Sequence, residues 1–166
     1  KGWDDMATLH LMVGLPCSGK TTLAKQLEQQ YSALRLTPDE WHKRLGHEFG
    51  YGMTEADEAL HNARHDAVEA LMWDLAARVL ALGVDVILDF GFWSRKERDE
   101  FRARARELGA DVQIHFNDVP EEELLRRLKI RNAEQPEGTF VIPEAKLKEW
   151  MQIFEPPSPE EMEPGP

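Results

Sequence analysis

The chain has 166 residues, with 31 aspartates and glutamates against 20 lysines and arginines, and a formal net charge of −11. This length suits one domain with a real core and is too short for two ordinary ones. So acidic a chain disfavours general nucleic-acid binding, and no apolar run approaches the roughly 20 residues of a membrane helix. We expect no leader peptide and a cytoplasmic location, because the first five residues are polar and Cys17 is the single cysteine.

Short apolar runs alternate with helical patterns along the chain, which predicts βαβ units and a parallel sheet. The expected strands lie at about 9–13, 33–36, 84–88 and 112–116, and the expected helices follow Lys20 and Thr37, span about 54–82, 94–109 and 120–132, and open again at Pro143. The pairs Thr37 with Glu40 and Ser94 with Glu97 have the spacing of capping boxes. The fold class predicted is a three-layer α/β P-loop domain with a parallel sheet of four or five strands, helices on both faces and a helical lid.

The longest expected helix has an apolar face that should pack on the sheet. Its members are Leu60, Val68, Leu71, Leu75, Val79 and Leu82, and Gly83 should end the helix. Residues 1–154 are expected to form the single domain. Residues 155–166 hold five prolines and four glutamates, a composition that predicts an extended, disordered tail.

The segment from Gly14 to Thr21 matches the Walker A pattern at every position. Its glycines let successive backbone N–H groups point at phosphate oxygens, and a helix N-terminus adds a positive dipole end. Lys20 supplies a charge near the β and γ phosphates, and the Thr21 hydroxyl can ligate Mg²⁺. The predicted nucleotide-binding residues are Gly14, Pro16, Cys17, Ser18, Gly19, Lys20, Thr21 and Thr22, with ATP and Mg²⁺ as cofactors. Cys17 lies before a helix N-terminus, so its thiol is expected to be unusually acidic.

Two aspartates follow expected strands. Asp89 ends an apolar strand, where it can hold Mg²⁺ as a Walker B acid or simply be solvated in a turn. Asp39 follows the second strand, at the sheet edge where ligands bind. It can take the proton of a substrate hydroxyl as a catalytic base, or only favour the start of its helix. His42 and Arg44 follow on the same segment and could touch the acceptor, although a surface position is the commoner one for a residue such as His42.

Aromatic and histidine residues offer further candidates. Phe90, Phe92 and Trp93 follow Asp89 and suit either an acceptor pocket or core packing. His61 and His65 are four residues apart, a spacing that can bind a metal but lacks the glutamate of a zinc-protease motif. Arg64 between them could instead face an anionic group of the acceptor.

The helix expected at 120–132 is rich in basic residues. Arg127 and Arg131 share one of its faces, with Arg126 next to them. Phosphoryl transfer needs positive charge over the γ-phosphate, which arginines of a closing lid supply. Arg127 and Arg131 are therefore candidate catalytic residues with Lys20. The alternative is a solvated basic helix that offsets its neighbouring glutamates.

Four segments carry a resemblance to a known family: GLPCSGKTT, LTPDEWHKRL, VDVILDFG, and RLKIRN with the later FEPPSPEE. From about residue 9 to 161 the chain resembles the small P-loop kinases of the AAA_33 type, related to polynucleotide 5′-kinases, zeta toxins and chloramphenicol phosphotransferase. The resemblance implies that Asp39 activates the acceptor and that Arg127 or Arg131 is the lid arginine. Polynucleotide kinases usually have an arginine where this chain has His42.

The sequence thus predicts an ATP-dependent kinase that phosphorylates a hydroxyl of a small-molecule or nucleotide-like acceptor. Two alternatives stay open. One is a kinase of nucleic-acid 5′-hydroxyl ends, and the other is a slow ATPase that works as a nucleotide-dependent switch for a protein partner.

Overall fold

The computed structural model describes residues 6–47, 54–137 and 139–163. The elements run β1 (Thr8–Val13), α1 (Lys20–Tyr31), β2 (Leu34–Leu36), α2 (Pro38–Arg44), α3 (Glu55–Ala81), β3 (Val86–Gly91), α4 (Arg95–Glu107), β4 (Asp111–Phe116), α5 (Glu121–Glu134), α6 (Glu144–Ile153) and α7 (Pro159–Met162). Among these described residues, no helix is both long and apolar enough to cross a membrane.

The four strands form one sheet in the order β2-β3-β1-β4, and all three pairings are parallel. Alternate side chains of a strand point to opposite faces, so each strand feeds two cores. Met12 and Ile87 pack with Ala24 and Leu27 of α1 on one face. Leu9 and Leu11 pack on the other face, against α3 and α4. The predicted three-layer α/β fold with a parallel sheet is confirmed.

The sheet-facing side of α3 agrees in part with the predicted one, since Val68, Leu75 and Val79 pack into the core. Leu60, Leu71 and Leu82 of the expected face are instead 49%, 61% and 80% exposed. The buried residues Val68, Met72, Ala76 and Leu80 repeat every four positions, and the three exposed leucines lie outside that stripe. The helix ends as expected at Gly83, which has a φ of 76°.

The two predicted capping boxes are formed only in part: Thr37 and Ser94 both precede a helix, but only the Ser94 side chain makes a capping hydrogen bond. Thr37 precedes α2, but its side chain makes no capping hydrogen bond. Its hydroxyl donates instead to Asp89 at 3.1 Å and accepts from Arg35 at 2.6 Å, and Arg35 also pairs with Glu40. Ser94 does cap α4, accepting from the Glu97 N–H at 3.2 Å. Contacts between strands and helices therefore outweighed the local capping pattern at Thr37.

The C-terminal segment is a packed strap over residues 155–163, which corrects the expectation of an extended tail there; residues 164–166 lie outside the described chain. Arg98, fully buried, donates to Glu161 of α7 at 2.8 Å and to the backbone oxygens of Phe92 and Glu155 at 2.9 Å each. The Glu155 N–H donates to the Trp93 oxygen at 2.8 Å. The strap thereby holds the turn between β3 and α4. The boundary of the domain at 154 remains a prediction.

Candidate functional site

The turn between β1 and α1 is the Walker A loop, and close packing explains its glycines. The Gly14 N–H donates to the Gly91 oxygen at 2.9 Å, so the ends of β1 and β3 are joined. A Cβ on Gly14 would lie 2.5 Å from Ser18 Oγ, which leaves no room for a side chain. Gly19 precedes α1 with a φ of 87°, in the left-handed region that glycine adopts readily. The loop thus curls tightly around the N-terminus of α1.

Three buried polar atoms around this loop have no hydrogen-bond partner within the described chain. They are Ser18 Oγ, Asp89 Oδ1 and Arg131 Nη1. A buried polar atom without a hydrogen bond destabilises the fold, so such atoms are often found where a bound ligand or ion supplies the missing contact. The first belongs to the loop, the second to the end of β3 and the third to α5. Their convergence marks this edge of the sheet as a binding site for a charged group.

A divalent cation fits the position between α1 and β3. Thr21 Oγ1 donates to Asp89 Oδ2 at 2.6 Å, which brings the hydroxyl and the carboxylate together at the mouth of the loop. The second carboxylate oxygen, Oδ1, is buried without a protein partner in the described residues. Oxygen ligands of these kinds are the ones that Mg²⁺ prefers. Thr21 and Asp89 therefore form a donor pair suited to magnesium, as their sequence positions predict.

One cleft of about 760 Å³ joins the loop to the first turn of α2. Its lining includes every residue of the predicted nucleotide-binding set except Ser18, together with Asp39, Asp89 and Arg131. Ser18 is 4% exposed and lies beneath the loop. The structure thus gathers side chains from β3, α1, α2 and α5 around a single space, although they are far apart in the sequence.

Asp39 lies in this cleft, accessible from its open side but surrounded by protein. Loss of bulk water around the carboxyl group raises the pKa of Asp39, whereas the positive charges of Lys20, His65 and Arg131 act to lower it. The carboxylate is therefore within electrostatic reach of the loop lysine and of Arg131 on α5.

The arginines of α5 divide into one exposed and two loop-facing side chains. Arg126 pairs with Glu123 at 2.8 Å on the solvent side. Arg127 pairs with the same glutamate and donates to the Cys17 oxygen at 3.2 Å. Arg131 lines the cleft with its unpartnered Nη1. Arg127 and Arg131 are hence the two lid candidates that reach the loop.

The aromatic residues after Asp89 divide between the core and the wall of the cleft. Phe92 is 1% exposed and belongs to the core, where it stacks on Phe90 with ring centroids 5.4 Å apart. Phe90 and Trp93 line the cleft. Trp93 Nε1 donates to the Gly14 oxygen at 3.2 Å, and a Cβ on Gly91 would lie 3.0 Å from the same Nε1. The indole ring therefore braces the loop while forming part of the wall.

His42 is fully buried, which corrects the expectation of a surface residue. Its ring nitrogens lie 2.8 Å from His47 Nδ1 and 3.3 Å from His65 Nδ1, so it connects α2 to α3. Burial, and then the charge of His65, lowers the pKa of His42 to about 4. No group of three or more histidine, cysteine or acidic side chains among the described residues could hold a metal ion. His61 and His65 line the cleft, whereas the exposed Arg64 does not.

Two further cleft residues, Glu69 and Glu97, were missed by sequence reasoning. Glu69 lies on α3 and accepts from His65 Nε2 at 2.9 Å. Glu97 lies on the first turn of α4, and burial is the main cause that raises its pKa to about 7. Helical spacing places Glu69 on the face of His61 and His65, a signal that could have found it. For Glu97 the capping pattern pointed to a local role instead.

The Cys17 thiol is not unusually acidic, contrary to the expectation from its position. Burial raises the pKa of Cys17, and this outweighs the positive charges of Arg131 and Lys20, which act to lower it. The residue lines the cleft with a φ of 69°. Its place at the phosphate loop therefore agrees with the sequence, but its chemistry does not.

Comparison with solved structures supports the fold. A chain of the Pnkp1/Rnl/Hen1 RNA repair complex has a TM-score of 0.68 at 23% identity, covering 92% of this chain and 45% of that one. A gluconokinase from Sinorhizobium meliloti 1021 has a TM-score of 0.61 at 17% identity, and the alignment covers 95% of this chain and 80% of the gluconokinase chain. Kti12 from Chaetomium thermophilum, in complex with ADP-AlF3, has a TM-score of 0.67 at 21% identity, covering 92% and 82%.

The chain thus spans under half the length of the RNA-repair protein, and identities this low establish a shared fold alone. No curated protein matches the sequence significantly. The AAA_33 family, described as an AAA domain, matches residues 9–157. That match covers the Walker A loop, Asp39, Asp89 and the basic helix α5, as the sequence resemblance predicts. The chain therefore belongs to the AAA_33 family of P-loop proteins.

Proposed function

We propose that this protein is an ATP-dependent kinase that transfers the γ-phosphate of ATP to a hydroxyl of a small-molecule or nucleotide-like acceptor. The observation that carries the proposal is the presence of Asp39 and Lys20 in one cleft, where the lysine acts electrostatically on the carboxylate. A carboxylate at this position can hold an acceptor hydroxyl and take its proton, as a kinase requires. An ATPase could use the same carboxylate to orient water, so acceptor-dependent turnover is what separates the two activities.

In the proposed mechanism the loop holds the phosphates. Its backbone N–H groups and Lys20 bind the β and γ phosphates, and Thr21 with Asp89 would hold Mg²⁺. The bound cation supplies charge that stabilises the transferring phosphoryl group. Thr37 supports this arrangement by donating to Asp89 Oδ2 at 3.1 Å, which keeps the carboxylate turned toward the loop.

Asp39 is the proposed catalytic base. It holds the acceptor hydroxyl in line with the γ-phosphorus and takes its proton as transfer proceeds. The raised pKa of Asp39 suits this role, because a base works best when its pKa approaches the working pH. Position and proton transfer together contribute roughly 10²–10⁴-fold to rates of this kind.

Arg127 and Arg131 are the proposed lid residues. Arg131 has a buried donor without a partner in the described chain, which suits an oxygen of the transferring phosphoryl group. Arg127 is held at the loop by the Cys17 oxygen at 3.2 Å. We infer that these side chains act mainly on the transition state, since charge moves toward them only during transfer.

The alternative of a nucleic-acid 5′-hydroxyl kinase is favoured by the fold likeness to the RNA-repair chain. Two observations on this chain oppose it. The residue one turn after Asp39 is His42, which is fully buried and cannot contact a phosphate backbone. The net charge of −11 also repels polyanions. The alternative of a nucleotide-dependent switch is tested by the acceptor dependence of ATP turnover.

The test is phosphate transfer to a panel of alcohols with labelled ATP, in the unaltered chain and in Asp39→Asn. The variant keeps the shape of the side chain but removes its basicity, so kcat should fall by at least about 10²-fold while ATP binding stays the same. Asp74→Asn, on the exposed side of α3 and outside the cleft, is the matched control and should leave kcat unchanged. Wild-type transfer by Asp39→Asn would remove the acceptor half of the mechanism. ATP turnover that needs a protein partner and no alcohol would favour the switch.

A further inference from the structure

The acceptor side of the cleft is strongly acidic. Eight aspartates and glutamates line the cleft within the described chain, against three lysines and arginines. Two of those three cations, Lys20 and Arg131, belong to the phosphate loop and the lid. The third, Lys146, lies 3.9 Å from Glu58 at the start of α3. The part of the cleft where an acceptor would bind is therefore left with a large excess of negative charge.

Some of these carboxylates are already balanced, and others are not. Glu40 pairs with Arg35 at 3.0 Å, and Glu69 pairs with His65 at 2.9 Å. Burial alone would lower the pKa of His65, but its hydrogen bond and charge interaction with Glu69 raise it. Among the described residues Glu97 has no ion pair of this kind. The charge of Arg98 favours its charged form, whereas the charge of Glu69 opposes it.

Glu69 and Glu97 come from different helices, α3 and α4, and both line the cleft. Burial, and then the negative charge of Glu69, raises the pKa of Glu97 to about 7. Like charges near each other destabilise the charged form unless a cation is present. His65 pairs with Glu69 but not with Glu97, so a cationic ligand in the cleft can balance Glu97.

Aromatic rings accompany the two carboxylates, and they are an independent indication of the same ligand. Phe90, Trp93 and Trp150 line the cleft, and the two indole rings lie 5.4 Å apart. Trp93 immediately precedes α4 and Glu97 lies on its first turn, and both line the cleft, so the indole ring and the carboxylate belong to one part of its wall. Aromatic faces combined with carboxylates are the usual surroundings of an organic ammonium group.

Resting on the proposed kinase activity, we propose that the acceptor is a hydroxyl-bearing amine, such as an amino sugar or amino alcohol. Its ammonium group binds at Glu69 and Glu97 against the aromatic wall, and one of its hydroxyls reaches Asp39. An acceptor that carries a phosphate or carboxylate would meet like charge on this wall. Glu97 is hence a specificity-determining residue of the site.

The reaction is an ordinary phosphoryl transfer. The hydroxyl oxygen of the amine forms a bond to the γ-phosphorus, and the bond from that phosphorus to the β,γ-bridging oxygen breaks. The hydroxyl proton goes to Asp39 and then to solvent. ATP and the amino alcohol yield ADP, the O-phosphorylated amine and one proton. The ammonium group is not consumed and serves only in binding.

The experiment compares acceptors of different charge. Glucosamine, glucose and gluconate form a series of similar size from positive through neutral to negative. A panel of aminoglycosides and amino alcohols with their deaminated forms extends it, and a 5′-hydroxyl oligonucleotide adds a polyanion. Labelled ATP and Mg²⁺ are supplied to the full chain near neutral pH. The best acceptor should be an amine, with a kcat/KM at least about tenfold above that of its deaminated form.

Glu97→Gln should remove most of this advantage by raising KM for the amine, with kcat and the Kd for ATP nearly unchanged. Glu100→Gln is the matched control, since Glu100 lies on the exposed side of the same helix and outside the cleft. If Glu97→Gln does not fold, the ranking of acceptors by the unaltered chain still decides.

The outcomes separate the inference from the proposed function. Preference for glucose, gluconate or the oligonucleotide over every amine would overturn the inference and leave the kinase standing. An amine preference that survives Glu97→Gln in a folded variant would overturn the role of the acidic wall. Label transfer to no acceptor of any charge, with ATP still bound, would overturn the kinase activity and the inference with it.

Discussion

Replacing Glu161 by glutamine removes the counter-charge of a fully buried arginine. Arg98 and Glu161 have side chains that are each 1% exposed, and their closest atoms are 2.8 Å apart. Burial by itself would raise the pKa of Glu161, but the hydrogen bonds from Arg98 and Ser158 lower it to about 2. In Glu161→Gln the guanidinium stays buried, and the amide N–H₂ group turns a donor toward another donor.

The expected loss of stability follows from the burial of this ion pair. Removing one partner of a buried ion pair costs about 3–5 kcal/mol. The unfolding entropy of a chain of 166 residues is about 0.35 kcal/mol/K, at roughly 2.1 cal/mol/K per residue. A loss of about 4 kcal/mol therefore lowers Tm by about 10 °C. The strap over residues 155–163 should detach first, because Arg98 is its main attachment to the core.

The assay is thermal and urea unfolding of Glu161→Gln beside the unaltered chain at neutral pH. Glu160→Gln is the matched control, because Glu160 is the exposed neighbour in α7. The pH dependence adds a second readout. A carboxylate with a depressed pKa stabilises the fold above its unfolded value of about 4.5 and loses this effect as the pH falls toward about 2. The difference in stability between Glu161→Gln and the unaltered chain should become smaller over that pH range. A shift of Tm no larger than that of Glu160→Gln would refute the reasoning.

The remaining predictions concern the loop, the lid and acid stability. Lys20→Ala should abolish transfer and weaken ATP binding, and unchanged turnover would remove the loop from the mechanism. Alkylation of Cys17 should be slow near neutral pH, should speed up as the pH rises, and should be blocked by ATP, because its thiol pKa is raised and it lines the cleft. Arg131→Ala should lower kcat more than ATP affinity, whereas the exposed Arg126→Ala should change neither; lost affinity at full kcat would contradict a lid role. His10 is 1% exposed, and burial lowers its pKa to about 4. As the pH is lowered from about 6.5 to 4, this histidine should reduce the free energy of unfolding by up to about 1.4 kcal/mol per pH unit. Urea titrations at several pH values should therefore show that the free energy of unfolding of His10→Phe depends less steeply on pH than that of the unaltered chain.

The phosphate loop and the order of strands and helices were determined by the sequence alone. The Walker A spacing constrains the backbone of a few consecutive residues, so it needs no distant partner to be recognised. Asp39 and Asp89 were also found, because the carboxyl ends of parallel strands meet at one edge of a sheet. The alternation of apolar runs with helical patterns predicted the three-layer fold for the same local reason.

Tertiary structure alone decided which side chains meet across distance. Arg98 and Glu161 are 63 residues apart, and their ion pair turned an expected loose tail into a packed strap. Thr37 gave up its capping bond to reach Asp89, 52 residues away. Glu97 and Glu69 became neighbours only because α3 and α4 pack on the same face of the sheet. Periodicity along a chain encodes which face of an element is apolar, but the charge and shape of a cleft arise from elements that meet only on folding. The acidic wall of the cleft, formed by Glu69 and Glu97, is therefore a property of the fold, and no local pattern in the sequence predicts it.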